Sequence, residues 1–241
     1  MKTISFKDRK FLLFFACFML VLLRYNASAA TLQTRSLCDR NFNVNSLKSD
    51  IIARLNKGET VILKNSNTDS GFDMLYGFHF LKADAALAMG VASSFEEHSK
   101  HISVMKEATV LERKKNYAKV RFEILVDNFL IPNSYFTSNI YVVRNGTGYL
   151  QFWNLNSSTG LSRPIFADGY VRMDPMADGG ALMVYCTYSV PSMQISVSLA
   201  NSLMHEGITS SLKDTVSWIE AANANQTRHK KYTDFLFQIL K

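Results

Sequence analysis

From about residue 104 the apolar residues of this chain recur at every second position, in segment after segment, parted only by short polar turns. Val120, Phe122, Ile124 and Val126 alternate with Lys119, Arg121 and Glu123, the pattern of a strand buried on one face. Ala108–Leu111 precedes that strand across a turn at Asn116. Tyr135–Val143, Tyr149–Leu155, Ile165–Met173 and Leu182–Tyr188 follow it. Asn145-Gly146 is a strong hairpin turn, and Asp178-Gly179-Gly180 parts the last two strands. Six strands so connected predict an antiparallel meander. Pro191 ends it. Residues 192–222 then keep helical character throughout, about 45 Å of helix. Val197, Ala200, Met204, Ile208, Leu212, Thr215 and Ile219 form one stripe along that helix, with Ser198, Asn201, His205 and Lys213 off it. A curved sheet can wrap such a helix and leave a cavity between the two.

The segment before the meander supplies shorter elements. Asn43–Asn56 has helical spacing, with Asn43 or Asn45 as cap and Gly58 as stop. Glu59–Lys64 and Phe72–Leu81 read as strands. Asp84 caps a run of helix formers, and Ser93 or Ser94 caps a second short helix through His98. The last residues, 226–241, are a basic step followed by Phe235, Leu236, Ile239 and Leu240, a short helix that docks back or a loose tail.

Residues 1–29 stand outside this pattern. Lys2, Lys7, Arg9 and Lys10 precede the apolar run Phe11–Leu23, and Ala27-Ser28-Ala29 offers a small-x-small cleavage site. This is the three-part plan of a secretory signal peptide, and the run is short for a membrane span. The chain is expected to be exported, periplasmic or secreted, and to begin at Ala30. Of the formal net charge of +7, the leader carries +4, so the remainder is about +3. That weak charge is no argument for nucleic acid. Cys38 and Cys186 could pair in an oxidising compartment, or Cys186 could be a buried thiol within its apolar strand.

The order of elements resembles the START-like helix-grip superfamily, also called SRPBCC. Several segments are similar to its bacterial polyketide cyclase and coenzyme-Q-binding branch. They are Phe95-Glu96-Glu97 with Val104–Glu112, Gly169-Tyr170-Val171, Gly180–Tyr185, Val190-Pro191 and the hairpin at Gly58–Val61. Ser94 departs from the acidic residue usual there, and Ser99 and Lys100 replace the usual prolines. The resemblance implies an α+β helix-grip fold: a curved antiparallel sheet around a long C-terminal helix, with two short helices after the first strands. It spans residues 58–224, after a helical extension at 30–57 and before the tail at 225–241.

No catalytic constellation is readable. Serine elbows, P-loops and dinucleotide fingerprints are absent from the sequence. His98 and His101 are three apart beside Glu96 and Glu97, but no third metal ligand has a fixed spacing, so no metal site is expected. His205-Glu206 could form an acid/base pair, although the stripe places His205 on the outer face. The cavity itself is the better candidate. Phe122, Ile124, Tyr141, Trp153, Tyr170, Tyr185, Met204 and Ile208 are its expected lining. Aromatic walls with a few polar tips suit a lipid, quinone or polyketide-like ligand. The expectation is thus a binding domain for a hydrophobic small molecule, without turnover or cofactor, touching a membrane only transiently. The alternatives are a cyclase or hydrolase acting on such a ligand, and an interaction module docking through its tail.

Overall fold

The computed structural model describes residues 38–40, 42–43, 46–66, 68, 70–126, 132–192 and 196–241. The expected leader, 1–29, lies outside them. Eight strands form one antiparallel sheet: β1 Val61–Asn65, β2 Met74–Leu81, β3 Met105–Lys114, β4 Tyr117–Ile124, β5 Ser134–Asn145, β6 Gly148–Thr159, β7 Pro164–Pro175 and β8 Ala181–Pro191. Their order is β1-β2-β8-β7-β6-β5-β4-β3. The six-stranded meander is therefore extended by the first hairpin, which pairs through β2 with β8. Register shifts in β3–β4, β5–β6 and β7–β8 are the irregularities that bend a sheet. The fold is the expected α+β helix-grip.

Helix α1 spans Ser49–Asn56, so the helical run expected from Asn43 begins later. The reason is tertiary. Arg172 donates to the carbonyl oxygens of Arg40 (3.0 Å) and Phe42 (3.1 Å), holding this segment against the convex face of the sheet. Phe42 packs there on Tyr76 and Phe78, with ring centroids 5.3 and 5.5 Å apart. Arg40 lies 3.9 Å over the Phe152 ring. Cys38 is bonded to Cys186, 148 residues away, with Cα atoms 6.0 Å apart. A bridge closing so long a loop constrains the unfolded chain strongly.

Helix α2, Ala85–Ala92, is capped by Asp84, whose carboxylate accepts from the amides of Ala86 and Leu87. A 3-10 turn, Phe95–Glu97, and the four-residue α3, His98–His101, complete the crossing from β2 to β3. The long helix α4 runs Val197–Asn223, capped by the Ser196 hydroxyl, which accepts from the Leu199 amide. It approaches β2, α2 and α3. Trp218, Ile219 and Ala222 are buried in the main apolar core with Leu87, Val91 and Met183.

The last residues do not form a loose tail. Asn225 caps helix α5, Gln226–Leu240, which packs on α2 and buries Tyr232, Leu236 and Ile239. Gly90 is required at the crossing, because a Cβ there would collide with the Tyr232 carbonyl. Trp218 Nε1 donates to the Tyr232 hydroxyl, which donates to Glu97. Lys231 also reaches Glu97, and His229 Nε2 meets Asp84 at 2.8 Å.

Candidate ligand cavity

A cavity of about 950 Å³ lies between the concave face of the sheet and α4. Its origin is a mismatch of side-chain size. Along this space α4 presents Gly207, Ser210 and Ser211 among Met204 and Ile208. A Cβ built at Gly207 would meet no atom within 4 Å. Interiors are normally close-packed, so this much unfilled space is a feature that the side chains create. On the sheet side, Phe122, Ile124, Phe136 and Trp153 stand on neighbouring strands. Gly169 lets the Trp153 indole lie across β7, since a Cβ there would overlap it. Trp153 then meets Tyr185 with centroids 5.6 Å apart.

Six of the expected wall residues line this space: Phe122, Ile124, Trp153, Tyr185, Met204 and Ile208. Tyr141 and Tyr170 do not, and here the expectation is corrected. Register pairs Ile140 with Trp153 and Val171 with Tyr185, which puts Ile140 and Val171 on the concave face. Tyr141 and Tyr170 therefore point to the convex side. Tyr141 stacks on Phe152 at 5.1 Å, and Tyr170 is fully buried in the row that contains Cys186. β5 carries apolar residues on both faces, so alternation alone did not distinguish them.

The polar side chains that line the cavity are mostly uncharged, serines above all. Burial pushes the His98 imidazole down to about 4, opposed by its hydrogen bond to the Ala92 carbonyl and by Glu96. His98 Nε2–H donates to that carbonyl at 3.1 Å, so Nδ1 is the acceptor of the neutral ring. Burial pushes the Tyr185 hydroxyl up to about 12. Gln151 accepts from Ser93 at 3.0 Å, both buried. The Ser138 hydroxyl is buried on the wall with no hydrogen-bond partner. Gln151 and Ser138 escaped the sequence reading, because nothing marks a lone polar residue in a strand as inward, and Asp73, just before β2, escaped it too. For Asp73 the signal was its phase, two residues before Leu75.

The other candidates resolve into packing. His98 and His101 both lie on the Trp218 ring, with centroids 5.8 and 4.3 Å away. Among the described residues no three His, Cys, Asp or Glu side chains are grouped to hold a metal. His205 is exposed, and Glu206 sits on the cavity rim.

Neither a protein-family model nor a curated protein matches the sequence. Among solved structures, the chain is similar to human STARD10, with a TM-score of 0.64 and 10% identity over 87% of this chain and 92% of that one. It is similar to the STAR-related lipid transfer protein of Xanthomonas axonopodis, with a TM-score of 0.58 and 17% identity over 67% of this chain and 98% of that fragment. The Zhui aromatase/cyclase of a Streptomyces species gives a TM-score of 0.53 and 11% identity over 70% and 98%. The fold of this chain is START-like.

Proposed function

We propose that this chain is an exported carrier that binds a hydrophobic small molecule in the cavity between the sheet and α4, without chemical turnover. The observation that carries the proposal is the cavity of about 950 Å³, walled by Phe122, Trp153, Met204 and Ile208 and left open by the small residues of α4. It is at the upper end of the roughly 300–1,000 Å³ of small-molecule sites. Each 100 Å² of apolar ligand surface buried there contributes about 2.5 kcal/mol before ordering costs. Lipids, quinones and polyketide-like molecules have the required surface. The lipid-transfer protein and the aromatase/cyclase among the similar structures are consistent with such ligands.

Two features support export. The leader has the plan of a signal peptide, and the Cys38–Cys186 bridge suits an oxidising compartment. Exposed Leu161 and Leu199 are the sequence neighbours of the lining residues Ser162 and Ala200. Exposed apolar side chains so close to the cavity suit brief contact with a bilayer during ligand exchange.

The test is native mass spectrometry of the exported protein purified from its own host, with N-terminal sequencing. The expected result is a start at Ala30 and a bound apolar molecule released unchanged. A chain retaining Met1 in the membrane fraction would overturn export. A converted product whose formation requires His98 or Glu206 would replace the carrier by an enzyme.

A further inference from the structure

The cavity wall contains one buried acidic side chain, Asp73, beside which the lining offers no basic residue. Asp73 immediately precedes β2 and is 6% exposed. Register pairs Leu75 with Thr187, so Asp73 continues the concave side of β2 toward Ser189. On α4 the residue that meets this segment is Asn201, and both polar atoms of its side chain bond to backbone. Asn201 Oδ1 accepts from the Asp73 amide at 2.9 Å, while Nδ2 donates to the Gly71 carbonyl at 3.3 Å. Asn201 thus braces the start of β2 and leaves the carboxylate to the cavity.

None of the described residues lining the cavity is a lysine or an arginine. Glu206 adds a second acid at the rim, and His98 is held neutral. A carboxylate facing low-dielectric space without a cation is costly unless something that enters the space can pair with it.

We propose that Asp73 selects the ligand by charge: the cavity takes an amphiphile whose polar end donates hydrogen bonds and carries no negative charge, an amine before an alcohol, and rejects the matching carboxylate. This rests on the carrier reading and narrows it. An ammonium supplies the missing counter-charge, and a hydroxyl supplies only the hydrogen bond. A fatty-acid carboxylate brings like charge against Asp73 where water screens poorly.

The test compares dodecylamine, dodecanol and dodecanoate for binding to the leaderless protein at pH 7.5, followed by calorimetry and by fluorescence of Trp153 in the wall. The amine should bind at least tenfold more tightly than dodecanoate, with the alcohol between them. Asp73→Asn should shrink that gap to threefold or less, and Glu206→Gln should leave most of it. Asp73→Ser provides a second variant, and a melting curve on each shows that the fold survives. A smaller gap in the native protein, or a gap that outlasts both Asp73 variants, overturns the charge selection while leaving the carrier intact. Failure of all three probes to bind the native protein overturns the carrier and this inference together.

Discussion

The two halves of α4 carry the same apolar stripe and do different work. In the C-terminal half, Leu212, Trp218, Ile219 and Ala222 are buried, pressed by α2 and by the returning α5. In the N-terminal half only Ala200 is buried, and Met204 and Ile208 are half-exposed to the cavity. The difference lies less in the stripe than in its neighbours. Small side chains and a glycine flank Met204 and Ile208, whereas Trp218 widens the stripe at the other end. One half anchors the helix and the other roofs a space.

Four experiments would break or sharpen this contrast. The largest effect belongs to Ile219→Asp, which buries an unpaired carboxylate in the anchor. It should cost about 4 kcal/mol, read from urea denaturation, whereas Ile208→Asp over the cavity should cost less than half of that. Equal losses would mean that the two halves are packed alike. Next is Gly90→Ala, which forces a methyl into the Tyr232 carbonyl and should cost about 2–3 kcal/mol. Hydrogen exchange should show α5 released first.

The third concerns pH at His98, which packs on Trp218 and also lines the cavity. Its folded pKa of about 4 lies below the ordinary 6.5, so the unfolded chain binds the proton more readily. Its contribution is whole above pH 6.5 and is lost as pH falls toward 4. About 2 kcal/mol should disappear across that window, less than the full shift implies because the ring is only partly buried. In His98→Gln the stability profile over that window should be flatter. The smallest effect is Gly207→Phe, which should weaken binding of an apolar ligand about tenfold, or 1.4 kcal/mol, by filling the space. Because it replaces glycine inside a helix, its melting temperature should not fall. A drop would show that the roof is packed more tightly than the geometry indicates.

The sequence by itself determined the strands, their turns and the length of the helix. Val120, Phe122 and Ile124 alternate cleanly, Gly146 adopts the positive φ that its hairpin needs, and the stripe through Leu212 and Ile219 is continuous. These follow from local periods and backbone sterics, which short stretches of chain carry within themselves. Tertiary structure alone decided the rest. It turned Tyr141 and Tyr170 outward, joined Cys38 to Cys186, docked α5 on α2 and set Asp73 against the cavity. A period says which residues share a face, but only register across strands and the direction of curvature say which face is concave. Contacts between residues more than a hundred positions apart leave no periodic trace, and the cavity is a volume that no single segment encodes.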